Sequence, residues 1–269
     1  MVDSDDEVTK SGYMTAFDII YSLEQKPDML IAPFKTVFRN NEEIFKYSYE
    51  SSKLFNKQYI KDEVLPYAIS LKKDDEKYVR CHCSILYKTS VLKDNKLLYR
   101  DSISAEDHLF IVEFLKYCTS IAFSQVCFYV YIKRLNSRVS LNNDYKLLEI
   151  ARNYSIYKKW FGNYYDFYSA EAVVNWVNIF NDLIVVHMRE SKKFKDFENL
   201  LEKFFEIEDV QELFKAAPLF MADKKYVLIE RKLNNNDIAS IPLTFKVDYF
   251  RQSVYYLIRN LAKSLLRRQ

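Results

Sequence analysis

LFIVEFLKYCTSIAFSQVCFYVYI, residues Leu109 to Ile132, is the stretch on which the predicted fold depends. Apolar residues lie on every side of a helix drawn through it, which is typical of a helix that other helices surround. Glu113, Lys116 and Gln125 interrupt it, so it falls short of the ~18 uninterrupted apolar residues expected of a membrane span. We therefore predict a long, buried central helix in a mainly α-helical (α+β) protein.

The residues before this stretch favour the start of a helix. Ser104 is followed three residues later by Asp107, a pattern like a capping box, and Glu106 adds a second acidic residue to the first turn. Further helices are predicted downstream from apolar spacing and capping residues, over 144–161, 169–188, 194–205, 210–216 and 247–269.

The N-terminal part predicts a small sheet as well as helices. Val79 to Tyr87 alternates between apolar and polar residues, which is typical of a half-buried strand. Strands over 67–71 and 96–99 would complete a small antiparallel sheet, helices are predicted over 13–24 and 40–55, and a late strand over 226–230. The predicted organisation is an acidic flexible tail over 1–12, an α+β subdomain over 13–103 and a helical subdomain over 104–269.

Composition limits the class and the compartment. The chain has 269 residues, of which 49% are hydrophobic and 29% charged, and its formal net charge is only +3, so any affinity for nucleic acid must come from a local patch. Four cysteines are too few for a disulfide framework, and an acidic N-terminus is unlike a signal peptide, so we predict a cytoplasmic protein. Abundant Lys, Tyr and Phe are typical of an AT-rich genome, such as that of a pathogen or phage.

The two glycines, Gly12 and Gly162, exclude several enzyme classes. Backbone conformations with positive φ and close approaches to phosphate normally require glycine. The Walker A loop, the Rossmann fingerprint, the kinase glycine-rich loop and the G-x-S-x-G elbow cannot be formed by this sequence. We therefore expect no cofactor and no nucleotide-dependent activity.

Two candidate catalytic sites are considered and not adopted. Cys81, His82 and Cys83 could suggest a metal, but strand alternation would place the thiols and the imidazole on opposite faces. Glu230 and Lys232 have the E-x-K spacing of many magnesium nucleases, yet a suitable upstream acid is missing. No catalytic residue and no metal ligand is therefore predicted.

Two surfaces are predicted to contact partners. The first is an aromatic segment at a helix end and the following loop, a composition typical of binding hot spots or of side chains that plug the core: Trp160, Tyr164, Tyr165, Phe167 and Tyr168. The second is the basic face of the last helix, which could bind phosphates or an acidic protein, or remain solvated: Arg251, Tyr255, Arg259, Lys263 and Arg267.

The functional prediction follows from the missing catalytic residues and the aromatic content. We predict a non-enzymatic structural or adaptor subunit of a larger multiprotein assembly, with other protein subunits as partners and oligomerisation as an option. The alternative is a nucleic-acid-binding protein, or a magnesium-dependent nuclease, that acts through the basic C-terminal helix.

Overall fold

The computed structural model describes residues 2–39, 41–50, 53–70, 82–100, 106–133, 146–163, 165–191 and 193–246. The chain forms two compact units, Met1–Asn143 and Asp144–Gln269. The first contains two small sheets and short helices, and the described part of the second is helical. The protein is thus mainly α-helical with a small sheet component, as predicted. The division lies at residue 143 rather than 103, because strands after residue 118 pair with strands from the first 45 residues.

The strands of the first unit form two four-stranded sheets. In chain order they are β1 (Glu7–Val8), β2 (Met29–Ile31), β3 (Phe34–Phe38), β4 (Asn41–Phe45), β5 (Leu54–Asn56), β6 (Ile85–Tyr87), β7 (Ser120–Phe123) and β8 (Tyr129–Ile132). The strand orders are β5-β7-β2-β6 and β1-β8-β3-β4.

Both sheets are mixed, so the predicted antiparallel sheet is not what the chain forms. β2 pairs with β7 in parallel, with Met29 opposite Ile121, and β3 pairs with β8 in parallel, with Phe34 opposite Tyr129. The remaining pairs are antiparallel. Parallel pairing requires a long crossover, which the chain between β3 and β7 provides. All residues of β2 and β7 are buried, as expected of strands that are apolar except for Ser120 at the start of β7.

The predicted central helix is wrong beyond Tyr117. The helices of the first unit are α1 (Lys10–Ser22), α2 (Lys57–Tyr59), α3 (Leu65–Ser70), α4 (Thr89–Asp94) and α5 (Glu106–Tyr117). Only α5 lies within the predicted stretch, and β7 and β8 take up the rest of it. Uniform apolarity suits two buried strands as well as one buried helix, and pairing with β2 and β3 decides between them.

Three other predictions for the first unit are corrected. Residues 40–55 contain β4 and β5 rather than a helix, and residues 67–71 contain the end of a helix rather than a strand. The predicted strand over 79–87 is a strand only from Ile85, because His82–Ser84 forms a 3-10 turn, and 79–81 lie outside the described residues. Short apolar runs are compatible with either secondary structure, and tertiary pairing overrides local propensity here.

The described part of the acidic N-terminal segment, residues 2–12, is held in the first unit by strand and helix contacts rather than forming the flexible tail predicted over 1–12. β1 pairs with β8, and α1 begins at residue 10. Asp6 accepts hydrogen bonds from the backbone N–H of Ile132, at 2.8 Å, and from the hydroxyl of Tyr129. Gly12 lets α1 approach the backbone, because a Cβ at this position would lie 2.5 Å from the carbonyl oxygen of Cys127. These partners are more than 100 residues away in sequence, which local patterning cannot detect.

The second unit agrees more closely with the sequence prediction. Its helices are α6 (Lys146–Phe161), α7 (Ala170–Glu190), α8 (Phe194–Phe205), α9 (Glu208–Ala216) and α10 (Lys224–Asn234). Ser169 caps α7 by accepting a hydrogen bond from the backbone N–H of Ala172 at 3.3 Å. Aromatic side chains fill the core, with Trp176 4.8 Å from Tyr154 and Phe180 5.0 Å from Phe204, measured between ring centroids.

The last two elements predicted for the second unit differ in outcome. Residues 226–230, predicted as a strand, belong to α10, which is amphipathic with Tyr226, Ile229 and Leu233 buried. The predicted helix over 247–269 lies outside the described residues. Among the residues that the structure does describe, every helix is too short or too polar to cross a membrane.

Candidate functional site

Polar side chains from three distant segments of the first unit come together. Asp3 comes from the turn before β1, His82 and Cys83 from the 3-10 turn before β6, and Asp107 from the first turn of α5. Nδ1 of His82 lies 3.1 Å from Oδ2 of Asp107. The ligand atoms of Asp3, His82 and Cys83 lie within 4.8 Å of one another. We name these four residues the acidic–imidazole cluster.

The imidazole at the centre of the cluster is charged at neutral pH. Burial alone lowers the pKa of His82, but hydrogen bonds to Asp107 and Cys83 and the negative charge of Asp107 outweigh it and raise the pKa to about 10. Its Nε2 lies 3.0 Å from the Sγ of Cys83. Both ring nitrogens are therefore engaged, and the ring orientation is set from two sides.

Asp3 is the exposed carboxylate of the cluster. Partial burial raises its pKa, as do the nearby Cys83, Asp107 and Asp6, whereas His82 lowers it. Burial is the largest of these causes, and the neighbouring negative charges add a repulsion that a bound cation relieves. Asp3 is therefore suited to bind a cation.

The cluster is held by two neighbouring contacts. Asp6 anchors the turn that contains Asp3, through its bonds to β8. Tyr99 stacks on Phe110 of α5, with 4.5 Å between ring centroids, and its ring lies 5.8 Å from that of His82. Tyr99 therefore contacts the imidazole edge-on and links it to α5.

His82 and Cys83 do not lie on opposite faces of a strand, which was the reason for predicting no metal at residues 81–83. That prediction assumed strand alternation, whereas the 3-10 turn directs the side chains of His82 and Cys83 towards each other. Cys81 lies outside the described residues. Sequence reasoning also missed Asp3 and Asp107, which it interpreted as part of a solvated tail and as a helix cap. The available signal was the density of acidic residues at both places.

The predicted aromatic contact surface is partly core. Phe167 is buried, Trp160 and Tyr165 are half-buried, Tyr168 is exposed, and Tyr164 lies outside the described residues. The hydroxyl of Tyr168 accepts a hydrogen bond from Lys158 at 2.5 Å and donates one to Glu212. Lys158 also forms an ion pair with Asp209 at 2.7 Å. Partner binding through the exposed aromatics stays a prediction.

The basic face of the last helix cannot be placed, since all five of its residues lie outside the described ones: Arg251, Tyr255, Arg259, Lys263 and Arg267. The E-x-K pair is not on a strand. Glu230 and Lys232 are two residues apart on α10, where side chains at this spacing do not face each other, and Lys232 donates a hydrogen bond to the carbonyl oxygen of Ser240 at 2.7 Å.

The fold and the cluster together define a mainly helical protein with two mixed sheets and an exposed acidic site beside a charged imidazole. Its fold is similar to that of S. aureus TarS 1-349 in complex with UDP-GlcNAc, with a TM-score of 0.55 and 18% identity over 94% of this chain and 67% of that one. For TarS 1-349 in complex with UDP the TM-score is 0.45, with 16% identity over 94% of this chain and 66% of that one. No protein-family model matches the chain, and no curated protein has significant similarity to it.

The likeness to TarS 1-349 in complex with UDP-GlcNAc corrects the functional prediction, because it contradicts a non-enzymatic adaptor or complex subunit. The nucleic-acid-binding and nuclease alternative gains no support either. At 18% identity the likeness establishes the fold alone, and the activity must be argued from the residues of the site.

Proposed function

We propose that this chain is part of a glycosyltransferase that takes a sugar from a nucleotide-sugar donor, with UDP-GlcNAc as the first donor to test. The observation that carries the proposal is the acidic–imidazole cluster, in which exposed carboxylates of Asp3 and Asp107 flank a charged His82. The likeness to TarS in complex with UDP-GlcNAc supports this choice of donor.

Asp3 is assigned to donor binding through a divalent cation. A diphosphate is an anion, and carboxylates repel it unless a cation lies between them. Asp3 fits such a cation because the residue is exposed and because its pKa is raised, by partial burial and then by neighbouring negative charges. Hard cations such as Mg²⁺ prefer carboxylate oxygens together with substrate phosphates. When bound, the cation would stabilise negative charge on the departing diphosphate.

Asp107 is assigned the role of general base. Its Oδ2 is held by His82 at 3.1 Å, while the side chain remains 46% exposed and can reach an acceptor hydroxyl. In the proposed reaction the carboxylate takes the hydroxyl proton, the acceptor oxygen bonds to the anomeric carbon of the sugar, and the bond from that carbon to the diphosphate breaks. The nucleoside diphosphate leaves with the bonding electrons.

His82 positions this base. Its imidazolium holds one carboxylate oxygen of Asp107, and its own orientation is fixed by Cys83. The first turn of α5 adds a favourable helix-dipole interaction with the carboxylate. Because both nitrogens of His82 are engaged, by Asp107 and by Cys83, we assign His82 to orientation rather than to proton transfer.

The test is donor binding and turnover by the purified chain. Calorimetry with UDP-GlcNAc and UDP, in the presence and absence of Mg²⁺ or Mn²⁺, should show cation-dependent binding, and UDP release should report turnover. Asp3→Asn should abolish cation-dependent binding. Asp107→Asn should retain binding and lower kcat by about 10²- to 10⁴-fold, the usual contribution of a positioned base.

Asp18→Asn serves as the matched control, because Asp18 is an exposed carboxylate on α1 outside the cluster. It should bind and turn over the donor like the parent chain. The proposal is contradicted if neither UDP-GlcNAc nor UDP binds with either cation, or if Asp107→Asn is as active as the parent.

A further inference from the structure

We propose that His82, Cys83 and Asp3 form a binding site for a thiophilic divalent metal, with Zn²⁺ as its occupant. The three residues offer a nitrogen, a sulfur and an oxygen ligand, a donor set that suits zinc. Zinc binding itself depends only on this geometry. Its consequence for catalysis rests on the proposed function, because Asp3 is the residue assigned there to a hard cation.

The ligand atoms are close enough for one ion to bridge them. All three lie within 4.8 Å of one another, and Nε2 of His82 is 3.0 Å from Sγ of Cys83. Tetrahedral zinc, with its usual bond lengths to nitrogen and sulfur, separates these two atoms by about 3.6 Å. The pair must therefore open by about 0.6 Å, which rotation of the two side chains can provide.

The orientation of the imidazole favours this use. Nδ1 of His82 faces the carboxylate of Asp107 at 3.1 Å, which leaves Nε2 directed towards the thiol. Histidines that bind zinc through one nitrogen commonly donate the other N–H to a carboxylate in this way, which fixes the tautomer and the ring plane. When zinc binds, Nε2 of His82 and the thiol of Cys83 each lose a proton. Nδ1 keeps its proton and donates it in a hydrogen bond to the carboxylate of Asp107.

Two of the three ligand residues are buried, which distinguishes this site from a patch of surface carboxylates. His82 and Cys83 are only 7% and 3% exposed, so their ligand atoms are ordered by surrounding side chains before a metal arrives. Asp3 is exposed and leaves a path for entry, with the fourth position open to water or a ligand. A thiolate is a poor ligand for Mg²⁺ and a good one for Zn²⁺, so the sulfur decides the selectivity. Zinc bound here would occupy Asp3 and inhibit sugar transfer.

The test measures metal binding by the full chain with no nucleotide sugar present. Competition with a chromophoric chelator should give tight zinc binding that excess Mg²⁺ does not displace. Co²⁺ in place of zinc should give a sulfur-to-cobalt charge-transfer band. Cys83→Ser should remove the band and weaken zinc binding by at least about 100-fold, more than the loss from removing an outer partner of a ligand.

Cys127→Ser is the matched control, since Cys127 is a half-buried thiol whose Sγ bonds to the carbonyl oxygen of Tyr129 outside the cluster. It should keep both the band and the affinity. If Cys83→Ser fails to fold, Asp3→Asn replaces it, because Asp3 is exposed. That variant should keep the band and lose at least about 10-fold in zinc affinity.

Absence of zinc binding by the parent chain overturns the inference, and so does zinc binding that survives both substitutions unchanged. The result is independent of the proposed function, because no donor or turnover enters the measurement. A chain that binds zinc through Cys83 but does not bind UDP-GlcNAc would retain the metal site and refute the transferase. A chain that turns over the donor without binding zinc would support the transferase and refute the metal site.

Discussion

Replacing Lys57 by Met tests how α5, the helix that carries Asp107, is held in the first unit. The Nζ of Lys57 lies 3.1, 2.8 and 2.7 Å from three carbonyl oxygens at the C-terminal end of this helix, those of Leu115, Lys116 and Cys118. The last carbonyl groups of a helix have no partner within it, so the ammonium group caps them. Methionine keeps the apolar stem and removes all three hydrogen bonds.

The expected loss can be worked from these contacts. A hydrogen bond from a charged group contributes about 1.5–3 kcal/mol, and a cation at a helix C-terminus adds about 0.3–1 kcal/mol. Burial lowers the pKa of Lys57, so desolvation of the ammonium group offsets part of this gain. Because bonds that share one donor group are not additive, we expect a net loss of about 2–3 kcal/mol in the free energy of unfolding.

Urea unfolding followed by far-ultraviolet circular dichroism measures this loss. Lys53→Met is the control, because the side chain of Lys53 is 57% exposed, forms a surface ion pair with Glu50 at 3.0 Å and has only a distant contact with the ring of Phe55, at 5.8 Å. Exposed ion pairs contribute about 0–1 kcal/mol, so the control should shift the unfolding midpoint little. The capping argument is refuted if Lys57→Met costs no more than the control.

Three further outcomes are expected. Lowering the pH from about 7 to about 5 should destabilise the first unit, because burial lowers the pKa of His108 to about 4 in the folded chain. The unfolded chain, with a histidine pKa of about 6.5, takes up the proton first. Urea unfolding of the parent at both pH values checks this, and His108→Phe should lose part of the pH dependence. His82 should keep its proton at about pH 8 in an NMR titration and lose it near pH 10, and Asp107→Asn should lower that pKa; a parent pKa near 6.5 would exclude the ion pair. Trp176→Ala should destabilise the second unit by about 3–5 kcal/mol, because the ring is 0% exposed, whereas Leu219→Ala, at 78% exposure, should change its thermal unfolding by less than about 0.5 kcal/mol.

A protein can bind phosphate through the backbone N–H groups of a glycine-rich loop or through a metal cation that carboxylates hold. With only Gly12 and Gly162, the chain lacks the loops that hold phosphate through backbone N–H groups. Extending this to all nucleotide-dependent activity was too broad, because a cation held by carboxylates can bind a diphosphate without any glycine. Low glycine content therefore excludes particular folds, and it does not exclude the use of a nucleotide sugar.

Sequence alone determined the helices α6 to α9 of the second unit, whereas α10 contains the residues 226–230 that were predicted as a strand. The bounds predicted for α8, residues 194–205, agree with the structure, and those of α7 and α9 differ by about two residues. Helix hydrogen bonds join residues four apart, and capping residues such as Ser169 lie within the same window, so the information is local. The aromatic residues of this unit pack into one core for the same reason, since helical spacing places them on shared faces.

Only the tertiary structure decided the first unit and its site. Residues 109–132 could form one buried helix or a helix and two strands, and the parallel pairing with β2 and β3 selects the second. The cluster joins Asp3, His82 and Asp107, whose separation along the chain spans more than 100 residues. Each has an ordinary local role in the sequence prediction, as part of a charged segment, of a strand and of a helix cap. Their shared electrostatics exist only once long-range strand pairing has brought the three segments together, because charges act through distance in space and not along the chain.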